Sequence, residues 1–494
     1  MRATALLAID QGTSSSRAIA FSVRGEILAL EQQPFEQIYP ASGWVEHDPE
    51  VIWATVLSTV RAVLARLEEK HIGVAAIGIT NQRETTLAWN RRTGAPLHNA
   101  IVWQDRRTAE HCRALAASGH EAQLEAKTGL RLDPYFSATK LAWILAHVPQ
   151  ARAAAARGEL AFGTVDSFLI WRLTGGRLHV TDATNASRTA LFDIERNAWD
   201  TELCALFGVP ESSLPEVRDS AGEFGRTDPG LFSPSLPIHG VAGDQQAALI
   251  GQAGITAGEM KCTYGTGAFA MLNTGAQRVR SRNRLLGTIA YRLGGDTTYA
   301  LEGSILSAGA CIQWLRDGLR LFSRTADVEA LAASVSDSGG VYLVPAFTGL
   351  GAPYWDPEAR AALLGLTRAS GPAEIARAGL DSVVYQTCDL LAAMASDGAQ
   401  PAVLKVDGGM AANGLFLQRL ADVLAVPIRR PKIAEATAWG AACLAGLGCG
   451  LFGTLTEASR LWQADADFAP RLDTATREQQ LRGWHAALQR VRSH

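Results

Sequence analysis

Residues 6–17 read Leu-Leu-Ala-Ile-Asp-Gln-Gly-Thr-Ser-Ser-Ser-Arg. A short apolar run stops on an acid, then turns through a glycine into hydroxyls and a cation. Apolar residues resume at Ala18–Val23, and Arg24-Gly25 turns the chain again into Glu26–Leu30. Short β-rich runs separated by turn residues predict an antiparallel start. Glycine at such a turn lets backbone N–H groups approach phosphate oxygens. The hydroxyls add donors, Arg17 neutralises charge, and Asp10 faces a metal ion. In isolation the same stretch also reads as a hydroxyl-rich hairpin.

Working outward, Asp48 and Pro49 supply the N-cap and first position of a helix whose Val51, Ile52, Val56, Val60, Val63, Leu64 and Leu67 share one face. Val74–Thr80 returns as a buried strand, and strands alternating with helices argue for an α/β fold. The opening grammar recurs half a chain later. Lys261-Cys-Thr-Tyr-Gly-Thr-Gly267 leads a strand into a glycine turn, Ala268–Leu272 is the return strand, and Leu293-Gly-Gly-Asp296 reads as a hairpin. Pro401–Val406 then runs into Asp407-Gly-Gly409, with a helix from about Asn413. Two such loops predict a duplicated domain. The boundary is expected near Gly251-Gln-Ala-Gly254, which gives domains 1–250 and 251–494. The Ala- and Gly-rich stretch 434–450 predicts a closely packed buried helix.

Composition narrows the function. Hydrophobic residues make up 47% and charged residues 19% of the 494, an ordinary globular balance with room for two or three domains. A formal charge of −3 gives no general reason to bind nucleic acid or an anionic membrane, so an anionic ligand needs a local site. The seven cysteines are scattered and never form C-x-x-C, which argues against a disulfide framework or zinc site and for a reducing interior. Asp10 ends the N-terminal apolar run short of signal-peptide length, and no apolar segment is long enough to span a bilayer. A cytoplasmic protein is expected. No G-x-x-x-x-G-K-[ST] and no protein-kinase H-R-D or D-F-G set occurs. The G-x-G-x-x-G at Gly448–Gly453 follows a helix-like segment, not a strand, and reads as chance.

Two polar clusters stand where apolar strands end. Asn81-Gln-Arg-Glu84 follows Val74–Thr80, at the carboxyl edge where open α/β sheets gather ligands, although Arg83 and Glu84 also read as a surface ion pair. Gly243-Asp-Gln-Gln246 follows the run Ile238–Ala242 and places an acid beside two amides as the strand leaves the core. A helix-capping Asp244 is the plainer alternative.

Together these motifs resemble the glycerol kinases of the FGGY carbohydrate kinase family. The likeness runs nearly end to end, through 10–17, 79–84, 101–106, 181–189, 243–248, 264–269, 302–314, 352–357 and 406–413. It implies two actin-like ATPase domains with ribonuclease-H-like cores, closing over an active-site cleft. It also implies ATP and Mg²⁺, and glycerol as substrate. By the resemblance Arg83, Glu84, Tyr135, Asp244 and Gln245 hold the glycerol hydroxyls, with Trp103 and Phe269 as apolar walls. Thr13, Ser14, Ser15, Arg17 and Thr266 contact phosphates, and Gly309, Gln313, Gly409 and Asn413 surround the rest of the nucleotide. Asp10 holds the metal ion and Asp244 also faces it. Asp244 is the catalytic base, with Arg17 stabilising the transferred group. A homo-oligomer, dimer or tetramer, is implied as well. Ala268, Met410 and Trp439 depart from the usual pattern and are expected to alter packing near the nucleotide. The stretch 228–237 lacks the Gly-Gly-Lys of relatives inhibited by fructose 1,6-bisphosphate. A kinase of a larger polyol or ketose, and a non-catalytic actin-like switch, are the competing readings.

Overall fold

The structure is a computed structural model describing residues 4–493. Its first sheet contains β1 (Thr4–Gln11), β2 (Ser15–Ser22) and β3 (Ile27–Pro34). Helix α1 (Pro49–Glu69) follows, then β4 (Gly73–Asn81) and β5 (Ile238–Gly243), in the order β5-β4-β1-β2-β3. The first three strands are antiparallel, while β4 and β5 join in parallel. Asp48 caps α1 by accepting from the Glu50 amide at 2.8 Å, a contact worth about 1 kcal/mol. Ile52, Val56, Val60, Val63 and Leu67 are buried from that helix, as their spacing predicts, whereas Leu64 is partly buried and Val51 is exposed.

Helix α2 (Asp244–Gly251) leads into the second sheet. Its strands are β6 (Glu259–Tyr264), β7 (Ala268–Gly275), β8 (Leu286–Leu293), β9 (Asp296–Ile305), β10 (Val403–Asp407), β11 (Ile428–Pro431) and β12 (Ala464–Phe468). Their order is β8-β9-β7-β6-β10-β11-β12. Strand β6 pairs antiparallel with β7 and parallel with β10, as β1 does with β2 and β4. The further pairs β7–β9 and β10–β11 repeat β2–β3 and β4–β5. The duplication expected from the two glycine turns is therefore present as topology, with β8 and β12 added at the edges. Helices α3 (Gly309–Asp317), α4 (Gly414–Leu424) and α5 (Ala436–Gly448) complete the elements around the cleft.

Helix α5 comes from the second half of the chain yet packs on β1, β4 and β5 of the first sheet and on α2. The approach to α2 is so close that a Cβ on Gly251 would lie 1.9 Å from the Ala436 carbonyl oxygen. One on Gly440 would lie 1.8 Å from that of Ala247. Trp439, beside this contact, packs edge-on against Phe21 of β2 at 5.3 Å. It belongs to a core containing Ala8, Phe21, Met271 and Ala442, from both halves. It therefore packs in the junction between the sheets. The G-x-G-x-x-G glycines lie at and beyond the carboxyl end of α5, where carbonyl dipoles repel phosphate.

Because a Cβ at residue 440 meets backbone, Gly440→Ala must push the helices apart. Overpacking of this kind costs about 1–3 kcal/mol, so the melting temperature is expected to fall by a few degrees in differential scanning fluorimetry. A variant melting with the wild type would contradict the close approach.

Candidate active site

The carboxyl ends of β1, β4 and β5 deliver Asp10, Arg83–Glu84 and Asp244 to one place. Arg83 is the hub. Its Nε lies 3.2 Å from Asp244 Oδ1, and its terminal nitrogens donate to Glu302 at 2.5 and 3.1 Å. The same nitrogens reach Gln246 Oε1 at 3.3 Å and the Tyr135 hydroxyl at 3.4 Å. Arg83 and Glu84 are 3% and 1% exposed, which rules out the surface-pair reading. Glu84 itself has φ +61°, an unusual backbone for a residue other than glycine, held within this buried set.

Three rings wall the same space. Trp103 meets Tyr135 at 5.6 Å and Phe269 at 6.0 Å, both edge-on. The Trp103 indole N–H donates to Thr13 Oγ1 at 3.0 Å, tying this wall to the first glycine turn. Lys140, fully buried, donates to the Tyr135 and Phe136 carbonyls and so fixes the segment that presents the Tyr135 ring. Gln245 accepts from the Lys261 amine, which also donates to Thr263 Oγ1 at 3.0 Å and to the Phe269 carbonyl at 3.4 Å. Through Lys261, the cluster touches the second glycine turn.

Asp244 is the first residue of α2, and its Oδ1 accepts from the Gln245 amide at 2.7 Å. The side chain remains 31% exposed while Arg83 beside it is 2% exposed. It is therefore the charged member of the cluster that opens to the cleft. Burial raises its carboxyl above the usual range and the Glu302 charge adds to this, against Arg83 and Lys261. Asp10 is pushed up to about 6, chiefly by burial and further by Asp244 and Glu435, with Arg17 opposing.

In the first turn, the amides of Thr13 and Ser14 make no hydrogen bond among the described residues, and the Ser14 side chain is exposed. Ser15 accepts from Gln32 at 2.9 Å. Arg17, opposite Asp10 in the β1–β2 ladder, donates to Glu435 at 2.7 Å. In the second half, the Thr266 carbonyl accepts from Ala308 and Ala310, and Gly309 donates to the Gly265 carbonyl at 2.9 Å. This locks the start of α3 to the turn and leaves the Thr266 and Gln313 side chains exposed. Gly408, at φ +88°, passes so close to the Tyr264 carbonyl that a Cβ would lie 2.5 Å away, which brings Gly409 to the same rim. Asn413 caps α4 by accepting from the Phe416 amide at 2.8 Å, so only its NH₂ remains to donate elsewhere.

Sequence reasoning attached no role to Glu302, Arg188, Lys261 or Glu435. A charge inside an apolar strand needs a buried partner, and that rule applied to Ala300-Leu-Glu302 or to Met260-Lys261 flags both. It does not say which partner.

Models of the FGGY family of carbohydrate kinases match the chain, the N-terminal domain over residues 5–251 and the C-terminal domain over 260–449. The chain belongs to this family. Within it, the chain is 61% identical over 488 residues to the glycerol kinase of Rhodospirillum centenum, covering 99% of this chain and 98% of that one. It is 57% identical to glycerol kinase 1 of Pseudomonas aeruginosa, covering 99% of both. The crystal structure of Plasmodium falciparum glycerol kinase with ADP superposes with a TM-score of 0.94 at 36% identity, over 99% of this chain and 98% of that one. Gluconate kinase of Lactobacillus acidophilus, at 22% identity and TM-score 0.88, shares the fold.

Around Arg83, three carboxylates (Glu84, Glu302, Asp244) balance three cations (Arg83, Arg188, Lys261). Arg83→Met leaves the carboxylates in excess, and an uncompensated buried charge costs about 3–5 kcal/mol. A marked drop in melting temperature is expected, with Arg83→Lys losing less; equal stability of Arg83→Met and wild type would refute the balance.

Proposed function

We propose that this kinase transfers the γ-phosphoryl group of ATP to a terminal hydroxyl of glycerol, giving sn-glycerol 3-phosphate and ADP. The observation that carries this reading is Asp244. It is a partly exposed carboxylate with a raised pKa, beside Arg83 and within a buried polar set walled by Trp103, Tyr135 and Phe269. A small triol needs such a mixture, because each buried hydroxyl must be paired while the carbon chain meets apolar surface. The glycerol kinases to which the chain is similar support the same substrate.

In this reading Asp244 accepts the proton of the attacking hydroxyl. The new O–P bond forms as the bond from the γ-phosphorus to the β-phosphate bridging oxygen breaks, and ADP leaves with that electron pair. Arg83, Glu84, Tyr135 and Gln245 orient the triol. The amides of Thr13 and Ser14, the hydroxyls of Ser14, Ser15 and Thr266, and the Arg17 guanidinium receive phosphate charge. Gly309, Gln313, Gly409 and Asn413 line the remainder of the nucleotide, with the two domains meeting near residue 251. Among the described residues, no three His, Cys, Asp or Glu side chains come together to hold a metal ion. Asp10, buried near Asp244 and Glu435, fits Mg²⁺ taken with one or two carboxylates, water and substrate phosphates. When bound, Mg²⁺ neutralises charge on the phosphate oxygens. No helix among the described residues is long and apolar enough to cross a membrane, and a cytoplasmic location belongs to the proposed reading. The homo-oligomer belongs to this reading too, and light scattering of the purified chain measures it.

The decisive assay mixes protein, Mg-ATP and glycerol, erythritol, xylulose or gluconate and follows ADP. Glycerol is expected to give the highest kcat/KM, and Asp244→Asn to lose about 10²–10⁴ in kcat while glycerol still binds. Near-normal turnover of that variant removes the base, and preference for another polyol removes the substrate.

Asp10 also sets a pH dependence. Its proton must leave before a cation binds, so below about pH 6 the apparent Mg²⁺ affinity is expected to fall about tenfold per unit, and to level off above it. Mg²⁺ titrations of wild type against Asp10→Asn isolate this effect from protonation of the nucleotide. Identical pH profiles for the two proteins would contradict it.

A further inference from the structure

Behind the proposed polyol wall, four side chains form a closed square of alternating charge. Glu302 takes both terminal nitrogens of Arg83 and accepts from Arg188 Nη2 at 2.9 Å. Arg188 Nε donates to Glu84 Oε1 at 2.7 Å, and that oxygen closes the square 3.9 Å from Arg83 Nε. All four residues are 0–3% exposed. Burial alone would raise the Glu302 carboxyl, yet Arg188 and Arg83 overcome it and hold it down at about 2.

The square joins the two halves of the chain. Arg83, Glu84 and Arg188 come from the first half, and Glu302 from β9 of the second sheet. Residue 302 is paired on both sides, with Met271 of β7 and Leu286 of β8, so its backbone is fixed by two neighbouring strands. Apolar residues could fill such a space at less desolvation cost, which makes orientation the better account of a buried charge square. Its consequence falls on the residues facing the cleft. Arg83, with its two terminal nitrogens clamped, has one direction left for Nε, toward Asp244. Glu84, with Oε1 engaged by Arg188, has Oε2 unengaged among the described residues. The longest Arg83 hydrogen bonds, to Tyr135 and Gln246, are the ones a substrate hydroxyl can replace at least cost.

We infer that Glu302 is a positioning residue for polyol recognition: anchored in the second sheet, it aims Arg83 directly and Glu84 through Arg188, so the triol site is complete only while the two halves are in register. This rests on the proposed reading of the cleft. Neither Glu302 nor Arg188 touches the substrate in it.

Steady-state kinetics of the full chain test this with Glu302→Gln and Arg188→Lys, the fold checked by circular dichroism. For Glu302→Gln, KM for glycerol is expected to rise about tenfold or more while KM for ATP stays within about twofold, because a charge-assisted contact that orients only the polyol ligands is lost. A loss confined to the glycerol KM marks positioning of the polyol ligands, whereas a purely structural loss raises both KM values together. The inference is overturned by a folded Glu302→Gln with unchanged glycerol KM, or by a parallel rise in both KM values. If Glu302→Gln does not fold, Arg188→Lys decides. It keeps the charge but not the fork, and a glycerol KM about fivefold higher supports the inference, whereas an unchanged one overturns it. A wild type that releases no ADP with glycerol overturns the proposed function, and this inference with it.

Discussion

Backbone meets backbone where α5 crosses α2, and the rest of the molecule depends on that contact. Gly251 and Gly440 leave no room for side chains between the helices, so a segment from the second half lies directly on the first sheet. The two sheets consequently share a core, in which Met271 and Ala300 of one pack with Phe21 and Ala8 of the other. A duplicated fold could have produced two beads on a string. Here the residues of the junction are as buried as those of either interior, and so are several at the strand ends beside it.

Desolvation then governs the electrostatics of the cleft. Two carboxylates in it, of nearly equal intrinsic acidity, are driven in opposite directions. Glu302, gripped by two guanidinium groups, is held at about 2, while Asp10 rises to about 6 because burial and the neighbouring Asp244 and Glu435 outweigh Arg17. Arg17 is itself shared, since its guanidinium donates to Glu435 at the start of α5. One anion is thus permanently satisfied behind the cleft and another, nearer the phosphate turns, is short of positive charge. Phosphoryl transfer asks for that asymmetry: fixed orientation on the side of the acceptor, and a demand for cations on the side of the phosphates.

The fold was largely legible in the sequence. The turn at 10–16, its counterpart at 263–267 and the helix signalled by Asp48-Pro49 lie where the pattern of apolar runs and turn residues puts them, because such signals are local. Asp244 was likewise visible, as an acid leaving an apolar strand. The charges that hold Arg83 and Glu84 beside it were not, since Arg83 meets Glu302 across 219 positions and Arg188 meets Glu84 across 104. Local physics shows that a buried charge must be balanced, whereas the identity of the balancing group is set by how distant strands are brought together. Trp439 meets Phe21 across the two halves of the chain, a pairing that no local pattern prescribes.

Asp10 and Asp244 show how one cleft can assign two roles to the same residue type. Both carboxyls are raised by burial, and Asp244 is among the charges that raise Asp10. Asp244 has Arg83 at 3.2 Å, Lys261 acting on it and a backbone amide on Oδ1, which offset part of its burial, and about a third of its side chain faces the cleft. Asp10 has one favourable charge, already engaged by Glu435, and lies almost wholly buried at the end of β1. The first arrangement suits a group that takes a proton from a substrate it touches, and the second suits a group that waits for a cation arriving with the phosphates. Environment, not residue type, divides the labour, and the environment is made by bringing the ends of β1 and β5 together under a helix from the other half of the chain.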